Sequence, residues 1–105
     1  MLHLRAKAIR WVADDPFPGL VEVSMTDAHG TDWRFVDKAP VFSVDALTAE
    51  TTYPVDVIIA CAEVQGATDP DGHELVVVST ATPWGLQTSD GWTRFEVSRT
   101  QLVSP

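Results

Sequence analysis

The stretch Val21-Glu22-Val23-Ser24-Met25-Thr26, continued by Asp27-Ala28-His29-Gly30 and then by Thr31-Asp32-Trp33-Arg34-Phe35-Val36-Asp37, decides the fold class. Val21, Val23 and Met25 alternate with Glu22, Ser24 and Thr26, the period of a strand with one buried face. Asp27 opens a turn in which Gly30 can take a positive φ, so the chain is expected to return as the partner strand of a hairpin. Trp33 and Phe35 then supply the apolar face of the second strand, and Arg34 falls on the face that presents Glu22.

The same period extends in both directions. Upstream, Leu2, Leu4, Ala6 and Ala8 alternate with His3, Arg5 and Lys7 before Ile9 and Trp11 take over the apolar phase. A β-bulge near Ala8-Ile9 accounts for the slip, because one extra residue exchanges the faces of everything after it. Asp14-Asp15-Pro16-Phe17-Pro18-Gly19 breaks this strand as an irregular loop whose aspartates are expected to cap turns. Downstream, Phe42 and Val44 are expected in a short strand, and Asp45 to Glu50 in one helical turn. Val55 to Val64 is apolar on both faces apart from Asp56 and Glu63, which predicts a central strand, either covered on both sides or curling through the core. It is expected to form a long hairpin with Leu75-Val76-Val77-Val78. Ser89-Asp90-Gly91-Trp92 predicts a last hairpin, with Leu86 and Thr88 leading in and Thr93, Phe95 and Val97 alternating on the way out. The expected fold is therefore all-β and single-domain over residues 1–105: a small antiparallel barrel or two-layer sandwich of six or seven strands, with at most one short helix. Val57, Ile59, Val77 and Phe95 are expected in its core.

Charge is unevenly distributed along this chain. The net charge is −8, and every Lys and Arg lies before residue 39 or after residue 93. The intervening stretch carries Asp45, Glu50, Asp56, Glu63, Asp69, Asp71, Glu74 and Asp90. Such a field opposes nucleic-acid binding, which requires clustered cations, and favours a basic protein partner. The N-terminal residues lack the apolar run of a signal peptide, and no stretch reaches the length of a membrane span. With a single cysteine, Cys61, in an apolar run, a reducing cytoplasmic setting is expected. The absence of Asn and the scarcity of Lys match the residue usage of a GC-rich bacterial genome.

Motifs for chemistry are weak. Asp69-Pro70-Asp71-Gly72-His73-Glu74 begins like a calcium loop, but Leu75-Val76-Val77-Val78 starts a strand where further oxygen ligands belong, so the segment is read as an acidic hairpin turn. His3, His29, His73 and Cys61 lack the spacing of a zinc site. No nucleophile elbow, phosphate loop or dinucleotide fingerprint occurs. No catalytic residue, metal or cofactor is therefore expected. The tryptophans carry more information. Trp33 shares an apolar face with Phe35, whereas Trp84 lies in the loop-like Thr82-Pro83-Trp84-Gly85 and Trp92 starts a strand beside Arg94. Exposed indoles anchor protein partners and sugar rings, because they offer a large rigid apolar area with one polar N–H. The expected function is a non-enzymatic protein-binding module, such as an immunity- or antitoxin-like acidic inhibitor of a basic partner, with Trp84, Trp92, Asp69, Asp71 and Glu74 as the binding set. A small-ligand or carbohydrate-binding β-barrel and a homo-oligomeric structural protein are the alternatives.

Overall fold

The computed structural model describes residues 2–43, 47–68 and 70–103. Its strands follow the period-two runs: β1 (Leu2–Ala13), β2 (Leu20–Thr26), β3 (Asp32–Lys38), β4 (Val55–Thr68), β5 (Glu74–Ser79), β6 (Arg94–Ser98) and β7 (Leu102–Val103). They form one antiparallel sheet in the order β3-β2-β1-β4-β5-β6, with β7 pairing β1. The β2–β3 hairpin pairs from Leu20 opposite Lys38 to Thr26 opposite Asp32. This register sets Glu22 within 2.8 Å of Arg34 on the outer face and buries Val21, Val23, Met25 and Phe35 on the inner one. The expected bulge in β1 is present as a shift between Ala8 and Arg10 in the ladder with β2.

The curl of the sheet comes from β4. Residues 55–61 pair with β1 and residues 62–68 with β5, with a slip between Glu63 and Gln65. A strand bulged in this way bends, and the sheet closes into a half-barrel. Its two ends, β3 and β6, meet across the core, with Phe95 edge-on to Trp33 at 5.2 Å and to Phe35 at 5.7 Å. The turn after β2 ties the same ends together, as Ala28 N–H donates to the Glu96 carbonyl at 2.9 Å. Leu4, Ala8, Val23, Phe35, Ile59, Val76, Val78 and Val97 form the centre of one core cluster. Burying a side chain such as Phe35 contributes roughly 1.5–3 kcal/mol.

Several details differ from the sequence reading. Val77 is only half-buried, whereas Val76 and Val78 are fully enclosed. The cross-strand partners explain the inversion: Val78 faces Phe95 and Val76 faces Val97, while Val77 sits opposite Glu96 on the outer side. Val57, Ile59 and Phe95 are buried as expected. Of the two expectations for β4, curling holds, since Ile58 and Val64 remain exposed on its outer side. Phe42 ends a single 3-10 turn (Ala39–Val41) instead of starting a strand, and Val44 lies outside the described residues. Of the expected helical turn, Asp45 and Ala46 also lie outside them, and Leu47 to Glu50 lead into a turn closed by Thr51 N–H donating to the Thr48 carbonyl at 3.2 Å. The second 3-10 turn (Arg99–Gln101) leads into β7 under a capping box made by Ser98 and Gln101. Finally, the Asp90-Gly91 turn forms, with Gly91 at φ 87°, but no strand precedes it. One edge of β6 is taken by β5, and Ala28 bonds to the other, so the residues before the turn are not paired as a strand.

A candidate recognition surface on the loop between β5 and β6

Residues 80–93 leave β5 and return to β6 as a compact loop whose ends touch. Thr80, fully buried, holds its base in several ways. Its N–H donates to the Thr93 carbonyl at 2.8 Å, its hydroxyl to the Leu86 carbonyl at 2.7 Å, and its own carbonyl accepts from Leu86 N–H at 3.0 Å. Leu86, 1% exposed, plugs the loop into the core, and Thr88 is buried beside it. Further out, Gly85 N–H donates to the Ala81 carbonyl at 2.8 Å, and Thr88 exchanges bonds with Trp92 at 3.0 Å. Loops of this compact kind, packed by their own side chains, are often functional.

Trp84 lies at the outer end of this loop and is 63% exposed, while Trp92 at its return is 56% exposed and leans on Trp33 with ring centroids 6.0 Å apart. The four indoles divide cleanly by their N–H groups. Trp11 Nε1 donates to Asp14 at 2.8 Å and Trp33 Nε1 to Asp27 at 2.9 Å. Among the described residues neither Trp84 nor Trp92 has a partner for its indole N–H.

The carboxylates expected to share this site lie elsewhere. Asp71 and Glu74 sit at the opposite end of β5, a strand of six residues and so roughly 17 Å long at about 3.3 Å per residue. Asp69 lies outside the described residues. The sequence-segregated acids are also partly neutralised by folding. Arg99 reaches Glu63 at 3.0 Å and Glu74 at 3.2 Å, and Lys7 reaches Asp56 at 2.9 Å. Pairing with both acids raises the Arg99 pKa above its ordinary value, through Glu63 first.

One exposed aromatic was not singled out by the sequence reading. Phe17 is 87% exposed, the most exposed large apolar side chain among the described residues. Its loop is held from below: Gly19, at φ 117°, lies flat against the Trp11 ring, where any Cβ would collide, and Gly19 N–H donates to the Pro16 carbonyl at 2.8 Å. A Phe between two prolines has no strand face to turn inward, and that is the signal the sequence offered. Val36, 39% exposed on β3, lines a small recess with Gly85.

Several other titratable groups are held by structural contacts. The Glu22 carboxyl, gripped by Arg34 and, against the opposing effect of burial, by Arg10 at 2.7 Å, lies below the usual carboxylate range. Asp27 is also lowered, because bonds from Trp33 and from the Thr31 and His29 N–H groups outweigh its burial. Burial pushes the Cys61 thiol up to about 11, so it is an inert packing group. His29 is tied to Glu96 at 2.7 Å. Among the described residues no group of three or more His, Cys, Asp or Glu side chains converges as a metal site, and no helix is long and apolar enough to cross a membrane. Comparison with protein-family models, with curated proteins and with solved structures finds no match to this chain.

Proposed function

We propose that this chain is a non-enzymatic protein-binding module of a bacterial cytoplasm that holds a basic protein partner, in the manner of an immunity- or antitoxin-type inhibitor, with Trp84 as its anchor. The observation that carries this reading is a largely exposed indole with a free N–H on a loop fixed at its base by Thr80 and Leu86. An aromatic already held in place loses little freedom on binding, so more of its buried area appears as affinity. Trp92 and Phe17 extend the surface with further exposed aromatic area. The net charge of −8 draws a basic partner in, and Asp71 and Glu74 contribute to that field from the far end of β5 instead of touching the anchor.

The test is affinity capture from the source cell extract at low and high salt, with the parent and Trp84→Ala run side by side. A basic protein retained by the parent, lost with Trp84→Ala and released as salt rises is the expected result. Identical retention by both chains at every salt concentration would overturn the reading.

A further inference from the structure

A second concave feature shares no residue with the loop 80–93, and it arises from an interruption in the sheet. Along one edge, β1 pairs with β7 at His3 and Leu4 and with β2 from Lys7 onward. Arg5 and Ala6 therefore have no strand partner there among the described residues. Gln101 bridges the ends of the interruption, its Nε2 donating to the Thr26 carbonyl at 2.6 Å. The result is a groove of about 770 Å³ running from the end of β2 across β1 to β4, within the roughly 300–1,000 Å³ of small-molecule sites.

The lining is mixed, half of it apolar. Ala6, Met25, Ile58 and Val103 contribute to it, and Ile58 is an otherwise unexplained apolar side chain, 38% exposed on the outer face. The polar groups around it are mostly engaged: Ser24 with Asp32 at 2.5 Å, Lys7 with Asp56 at 2.9 Å, and Gln101 with Thr26. Arg5 is different. Arg10, Arg34 and Arg99 each hold carboxylates, whereas among the described residues no carboxylate meets Arg5 or Arg94, and of these two only Arg5 lines the groove. A guanidinium left without an anion beside a half-apolar groove has one obvious complement, since charged hydrogen bonds to a carboxylate are the strong ones for Arg.

We propose that this groove binds a small amphipathic monoanion, a single carboxylate on an aliphatic chain, with the carboxylate on Arg5 and the chain over Ile58, its cross-strand neighbour, and Val103. The site is independent of the Trp84 surface and stands or falls without it. The probe is octanoate, followed by methyl shifts of Ile58 and Val103 in 1H–13C spectra, with octanol as the neutral control. Saturable shifts with octanoate, at least about tenfold weaker with octanol or in Arg5→Gln, are expected from loss of a charge-assisted bond. Arg5 is exposed, so Arg5→Gln should melt with the parent, which separates lost binding from lost fold. Three results would overturn the proposal: no saturation with octanoate, equal binding of octanoate and octanol, or unchanged octanoate binding by Arg5→Gln.

Discussion

Replacing Thr80 by Val should loosen the loop 80–93 and lower the stability of the whole domain. The two side chains have nearly the same shape, so the change removes little except a hydroxyl in a fully buried position. That hydroxyl donates to the Leu86 carbonyl at 2.7 Å and lies 3.3 Å from the Thr93 carbonyl. Its loss leaves the Leu86 carbonyl without a donor next to a side chain only 1% exposed. An unsatisfied buried acceptor costs about 1–3 kcal/mol. For a domain of this size each 1 kcal/mol lowers the melting temperature by roughly 4–8 °C, so a fall of about 4 °C or more is expected by calorimetry. If the loop opens locally, hydrogen exchange of Gly85 and Leu86, whose amides bond to Ala81 and Thr80, should accelerate by roughly 5- to 150-fold for the same energy. A Val variant that melts with the parent and exchanges these amides at the parent rate would refute the claim that Thr80 clamps the loop.

Other substitutions test other parts of the structure. Gly19→Ala should destabilise by more than about 1 kcal/mol, because its φ of 117° disfavours a side chain and the new Cβ would meet the Trp11 ring; an unchanged urea midpoint would contradict this packing. Arg34→Gln should lower stability modestly at neutral pH. The Glu22 and Asp32 carboxyls it supports are lowered in the folded state, so this stabilisation is present above the unfolded carboxylate range and fades as pH falls through the folded values. The gap between parent and variant should therefore close in acid, and a gap of equal size in acid and at neutral pH would be inconsistent with these ion pairs. Cys61, 1% exposed and with its pKa raised to about 11 by burial, should resist a thiol reagent in the native protein and react fully in denaturant. Rapid labelling of the native chain would place the thiol at the surface.

The fold was legible wherever local period and turn chemistry agreed. Val21, Val23 and Met25 against Glu22 and Ser24, followed by the Asp27 to Gly30 turn, fix a hairpin with its register, including the Glu22–Arg34 pair. The slip at Ala8 was equally visible, since a bulge changes which residues are apolar. Where apolar residues fill consecutive positions the face is not encoded locally, and Val77 was misplaced because Phe95, from a distant strand, selects Val76 and Val78. The Asp90-Gly91 signal produced its turn, but pairing depends on which edges of β6 are free, a long-range property. The site divides in the same way. Trp84 and Trp92 could be singled out by their loop and turn contexts, but that both are exposed, that Trp84 lies far from Glu74 and that Arg99 captures Glu74 followed only from the folded path of the chain. Likewise Arg5 looks like any strand cation in the sequence, and only the interruption between β7 and β2 distinguishes it.

The central claim is that Trp84 is presented on a loop as ordered as the strands that carry it, and 15N relaxation of the backbone amides tests it most directly. Order parameters near 0.85 through residues 80–93, matching those of β5 and β6, are the expected result for a loop clamped by Thr80 and Leu86. Values below about 0.6 around Trp84 would show a mobile segment, and the account of a preorganised anchor would be contradicted.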